Sequence, residues 1–96
     1  MAISYFEMPA GPVAPLLEGL PNNCCHCPHW GYLFKGQMTI QYDSGEKEVI
    51  KAGNVYYMPP GHTATIDEAV AAIEFSPEKE YTEVMEHIKK KMQSMA

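Results

Sequence analysis

No arginine occurs in this 96-residue chain; its seven basic residues are all lysine, and the net charge is −5. Without the planar guanidinium fork there is no bidentate grip on phosphate or carboxylate. An acidic chain of this kind is a poor partner for nucleic acid and for anionic membranes. No apolar run approaches the ~20 residues that a spanning helix needs. The opening "MAISYFEMPAGP" has no basic stretch followed by a long apolar one, so it does not read as a secretory signal. A soluble, cytoplasmic protein is expected. Also missing are G-x-G-x-x-G, a P-loop lysine and any βαβ alternation, which excludes nucleotide-binding folds. Beyond Lys89, Lys90 and Lys91 there is no long like-sign block, and the apolar fraction of 46% suits a folded chain.

The length allows one domain with one modest core. Residues 1–21 are rich in proline and glycine and read as an extended arm, with one short strand at Ile3 to Glu7. Val13, Leu16, Leu17 and Leu20 make it too apolar to hang free. Residues 22–75 show short strand-like runs between turn signals: "WGYLF" before Lys35-Gly36, "QMTIQY" before Asp43-Ser44-Gly45, "VYYM" before Pro59-Pro60-Gly61, and "TATI" before Asp67-Glu68. That spacing predicts an all-β antiparallel sandwich or barrel. Over 76–96 the period becomes helical. Ser76 is the expected N-cap, Pro77 the first helical residue, and Tyr81, Val84, Met85, Ile88 and Met92 form one stripe. His87 lies off it and reads as a solvated surface residue.

What stands out is "NNCCHCPHW", which packs three cysteines, two of four histidines and the sole tryptophan into residues 22–30. An odd cysteine count in a reducing compartment, with Cys24 and Cys25 adjacent, disfavours disulfides. Thiolate and imidazole together are the ligand set for zinc, and less often for iron, nickel or copper. Cys25, Cys27 and His29 share a strand parity, yet on one straight strand they would span roughly 13 Å. The chain must therefore bend inside the cluster, and Pro28 is the expected place. His62, directly after the stiff Pro59-Pro60-Gly61 turn, is well held, but a lone histidine is more often a hydrogen-bonded or half-exposed residue than a ligand, and it counts as one only where the fold brings it to the cysteines. A nucleophilic cysteine beside His26 or His29, and buried thiols acting as small hydrophobes, are the alternatives.

"CPHWGYLFKGQMTI" followed by "AGNVYYMPPGHTA" resembles the two signature motifs of the cupin superfamily, small double-stranded β-helix barrels of the jelly-roll kind. The family patterns are G-x5-H-x-H-x3,4-E-x6-G and G-x5-P-x-G-x2-H-x3-N. Gly36 matches the closing glycine of the first, and Gly53, Pro59 and Gly61 match the second. Counting back from Gly36, the family's glutamate falls on His29, its second histidine on Cys25 and its first on Asn23. The second motif's histidine falls on Ala64, two places after His62, and its Asn on Glu68. In cupins these positions bind a divalent metal at the barrel mouth, so the resemblance implies a softer Cys/His site in the same place.

The expected ligands are Cys25, His29 and His62, with Cys27 as a fourth. Four would close a tetrahedral site, suiting a non-catalytic metal or small-ligand sensor; three would leave a position for a small molecule. Trp30, Tyr32, Phe34, Met38 and Tyr57 are the candidate lining of a pocket for a small apolar or aromatic compound. Tyr57 and Glu74 are the nearest acid or base groups, although a packed tyrosine and a solvent-facing glutamate describe them more simply. A homodimer is expected, with the arm or the helix covering an exposed sheet edge.

Overall fold

A computed structural model describes residues 1–95. Strand β1 (Ala2–Met8) and the short β2 (Gly11–Pro12) precede a single-turn helix α1 (Ala14–Leu17) and a 3-10 turn at Pro21–Asn23. There follow β3 (His29–Tyr42), β4 (Lys47–Lys51), β5 (Val55–Met58), β6 (His62–Ser76) and the helix α2 (Glu78–Met95). The named strands pair antiparallel, in the order β1-β6-β3-β4, with β2 also on β6 and β5 also on β3.

Two of the expected turns are not turns. Lys35-Gly36 and Asp67-Glu68 lie inside the long strands β3 and β6, where the register shifts three times between Leu33 and Met38. An extra residue unpaired in a ladder bends the strand and raises its twist without ending it. Gly36 sits at this bend with φ +87°, and a Cβ there would overlap the carbonyl of Ala69. Glycine is needed on both counts.

The bend folds the β3–β6 ribbon over a core. Leu33, Tyr56, Met58 and Ala72 come from one side of the bend and Met38, Ile40, Ile50 and Ile66 from the other, packed as one buried cluster. Alternation selects them: Gly31 and Leu33 point inward while Trp30, Tyr32 and Phe34 point outward. Each fully buried Leu or Ile contributes about 1.5–3 kcal/mol. The sheet does not close into the barrel expected from sequence. Across the mouth there is an isolated bridge, Cys25 to His62.

The segment read as an arm contributes a full edge strand, since β1 pairs with β6 from Ala2–Ser76 to Met8–Val70. Its short strand was anticipated, but not its place within the sheet. Helix α2 begins one residue later than expected, at Glu78. Ser76 closes β6, and the Tyr81 N–H donates to the Pro77 carbonyl at 2.9 Å, so Pro77 stands at the cap. Of the apolar stripe, Tyr81, Val84 and Ile88 pack on Leu17, whereas Met85 and Met92 are exposed. His87 is half-buried and donates through Nε2 to the Glu18 carbonyl at 2.8 Å. Residue 96, the end of the expected helix, lies outside the described residues. Among the described residues no helix is long and apolar enough to cross a membrane.

Gly36→Ala should lower the urea-unfolding free energy by on the order of 2–4 kcal/mol, combining left-handed backbone strain with overlap. Gly45→Ala, at φ +95° but with nothing within 4 Å of the added Cβ, should cost only about 1 kcal/mol. Equal losses would show that Gly36 is needed for its φ alone.

Candidate metal centre

His29 opens β3 and His62 opens β6, so in the ladder they stand at opposite ends of one ribbon: His29 lies near Ser76, and His62 pairs with Tyr42. Straight, that ribbon would part them by roughly 43 Å. Folded at the Gly36 bend, their ring centroids lie 5.2 Å apart, edge to face.

Three backbone hydrogen bonds fasten the ends. Cys25 N–H donates to the His62 carbonyl at 2.7 Å, and the Cys25 carbonyl accepts from His62 N–H at 3.1 Å and Gly61 N–H at 2.9 Å. Gly61 has φ +88°, and a Cβ on it would lie 2.6 Å from an Asp43 carboxylate oxygen, so this turn also requires glycine. Asn22 and Asn23, both at positive φ, turn the chain just before Cys25. Asn tolerates this conformation better than most residues.

Cys25 Sγ, a His29 ring nitrogen and a His62 ring nitrogen all lie within 4.8 Å of one another. Each imidazole is aimed by a partner at its other nitrogen. His62 Nδ1 is 2.7 Å from the Pro59 carbonyl and must donate to it, which leaves Nε2 with its lone pair. His29 Nδ1 lies 2.7 Å from Ser76 Oγ and 3.6 Å from Glu74 Oε1. Outer partners of this kind fix tautomer and ring orientation in metal sites. Cys25 Sγ is 3.6 Å from His29 Nε2. That spacing is also the edge expected of a tetrahedral ion with Zn–S about 2.3 Å and Zn–N about 2.05 Å. Donor chemistry and geometry therefore fit a soft divalent ion.

Burial sets the protonation states. It pushes the Cys25 thiol up to about 12, partly offset by the Cys27 carbonyl, and the Cys27 thiol up to about 11. It holds His29 down at about 4, helped by His62, and holds His62 below the usual range despite the Pro59 bond. Both imidazoles are thus neutral near pH 7, the form that ligates. Glu74 is raised to about 7 by burial, against the lowering effect of the 2.6 Å hydrogen bond that Tyr56 OH donates to its other oxygen.

Cys27 does not join the three. Its Sγ points to the Pro28 carbonyl at 3.5 Å, and it is fully buried in a second apolar cluster with Leu17, under Tyr81, Val84 and Ile88 of α2. All three cysteines are free thiols. The expected pocket is not assembled either. Trp30, Tyr32, Phe34 and Tyr57 are on the outer face because strand parity gives the inward positions to Gly31, Leu33 and Tyr56, and Met38 is in the core. A cleft of about 530 Å³, lined by Tyr42, Glu48, Tyr57 and Pro59 among others, includes none of the three converging residues.

Glu74 departs from its solvent-facing reading: it is buried beside His29. Ser76 and Tyr56 complete this inner layer, and neither was singled out as a site residue from sequence. The signal was present in the parity of β6, where Val70, Ala72, Glu74 and Ser76 alternate inward.

No protein-family model matches the sequence, and no curated protein is similar to it. Solved structures are informative. A cupin-2 domain protein from Shewanella frigidimarina superposes with a TM-score of 0.51 at 12% identity, over 78% of this chain and 69% of that one. This is the cupin fold. Ethanolamine utilization protein Q from Salmonella typhimurium matches at TM-score 0.56 and 15% identity, over 78% of this chain. The polyketide cyclase RemF from Streptomyces resistomycificus matches at 0.53 and 19%, over 79%. This chain spans only about half the length of those two, 55% and 53% respectively. On this fold Cys25, His29 and His62 meet where the two ends of the β3–β6 ribbon come together, a group of cysteine and histidine donors able to hold a metal ion.

Uptake of an ion by this group would have to expel the Cys25 proton. Since the thiol is protonated and both imidazoles neutral from pH 7 to 9, apparent Zn²⁺ affinity should strengthen about tenfold per pH unit over that range. Competition titration against a chelator of known affinity measures the slope, and a flat profile would mean that Cys25 is not a ligand.

Proposed function

We propose that this is a metal-binding cupin-type protein in which Cys25, His29 and His62 hold one divalent transition ion and leave a position for a small molecule. The observation that carries the reading is the convergence of three soft donors, each imidazole fixed by an outer partner. Zinc is favoured, since thiolate with two imidazoles is a borderline-soft set that imposes no redox demand; iron, nickel and copper are the competitors. A bound ion would supply Lewis-acid polarisation to the small molecule.

The chain's own groups favour a neutral ligand. No arginine exists to pair with an anion, and Leu17 and Tyr81 pack beside Cys25. Glu74, raised to about 7, is the residue able to take up or release a proton at neutral pH, with Tyr56 holding one oxygen and leaving Oε1 toward His29. This supports acid–base work on a small apolar molecule. Three free thiols suit a reducing compartment, which supports a cytoplasmic location.

A non-catalytic sensor with a closed site is the second reading. One observation favours it: Cys27 lies in the same apolar cluster as Cys25, and its carbonyl is 3.8 Å from Cys25 Sγ.

Elemental analysis of protein purified without added metal should give close to one ion per chain. His29→Ala and His62→Ala should each lose it, and Cys27→Ala should keep it with affinity changed less than about threefold. Retention in both histidine variants would overturn the site. A loss of tenfold or more in Cys27→Ala would establish the closed, sensor-type arrangement instead.

A further inference from the structure

One half of the sheet carries an exposed apolar face that the metal centre does not use. Across four strands the register aligns Ile3, Phe75, Trp30 and Tyr57 in one row. A second row, two residues along, is Tyr5, Ile73, Tyr32 and Val55. Phe34 extends it, 4.9 Å from Tyr32 and 6.4 Å from Tyr5 by ring centroid. Past the Gly36 bend, the outward positions of the same strands change character: Gln37, Thr39 and Gln41 on β3 pair with Lys51, Val49 and Lys47 on β4. The apolar residues are therefore segregated on one half, not scattered as single surface residues.

We propose that this face is the contact surface between two copies of the chain, paired sheet to sheet about a two-fold axis. Three observations select a second copy. Seven of these side chains are between 36% and 81% exposed. At ~150–250 Å² per aromatic side chain they present on the order of 700–800 Å², close to the roughly 800 Å² per partner of a standard stable interface and beyond the apolar patches usual on monomers. The surface is also largely set before contact, because Trp30 stacks on Tyr57 at 5.1 Å and Tyr32 meets Phe34 edge to face. Little rotamer freedom is then lost on association. Finally, the charges at its rim are of both signs, Glu7 on β1 and Lys35 on β3, each opposite Ala71 of β6. An apolar centre with a mixed-sign rim meets no like-charge field when set against itself. The sequence expectation of a homodimer is kept, but the covering element changes from arm or helix to the sheet face.

Trp30 is the sole tryptophan, so its emission reports directly on this face. Sedimentation equilibrium of the full chain should give twice 10.7 kDa at micromolar concentration. Dilution through dissociation should red-shift Trp30 emission while far-ultraviolet circular dichroism stays constant. Tyr32→Glu with Val55→Lys should be monomeric, with unchanged circular dichroism and an already red-shifted Trp30. Should that variant fail to fold, the wild-type dilution series still decides the matter. A wild-type monomer at 100 µM, or a dimer whose Trp30 emission does not change as it dissociates, would overturn the proposal. So would co-purification of a different, stoichiometric protein on an otherwise monomeric chain.

Discussion

The bend in the β3–β6 ribbon is the constraint on which the rest of the structure depends. Without it, the ladder from His29 to Tyr42 is a straight two-stranded strip with His29 at one end and His62 at the other. Such a strip has no enclosed core and no site. With it, the two halves face each other across Leu33, Met38, Ile40 and Ala72, and the strip's ends meet. A glycine without a Cβ at Gly36 permits the bend, and the apolar alternation on both sides drives it. The geometry of the Cys25, His29 and His62 group is thus an outcome of sheet curvature.

The chemistry at the meeting point is governed by desolvation. Two imidazoles, a thiol and a carboxyl are withdrawn from water together, and each is pushed toward its neutral form. Neutral imidazoles are ready to ligate, whereas a neutral thiol is not. The cluster is therefore half prepared for an ion: the donor spacing, two neutral imidazoles and the His62 Nε2 lone pair are in place, and the Cys25 proton stands in the way. The hydrogen bond that His62 donates to the Pro59 carbonyl, and the one between His29 and Ser76, hold the rings so that this preparation does not relax.

Much of this was legible in the residues. The Gly and Pro framework at Gly36, Gly53, Pro59 and Gly61 pointed to the cupin fold, and the Cys/His spacing pointed to Cys25, His29 and His62 as a group. Elsewhere a local signal carries two meanings. Lys35-Gly36 and Asp67-Glu68 look like turns, and they are bulges, because tertiary curvature can use the same residues to bend a strand as to end it. Ser76 before Pro77 looks like a helix cap, yet its hydroxyl meets His29, a partner 47 positions away. Aromatic residues on β3 look like a pocket lining; alternation fixes that they share a face, but not which face is inside.

The Cys25–His62 bridge has a consequence for how the fold is secured. The loop it closes contains β3, β4 and β5, and closing one of that size costs ~3 kcal/mol in chain entropy. Three peptide hydrogen bonds, worth about 1 kcal/mol each in net terms, only just offset this. An ion gripping Cys25 and His62 would then act as a removable cross-link, doing for a chain with free thiols what a disulfide does for a secreted one. Loss of the ion would be felt first as fraying at the mouth, with the curved core behind it still intact.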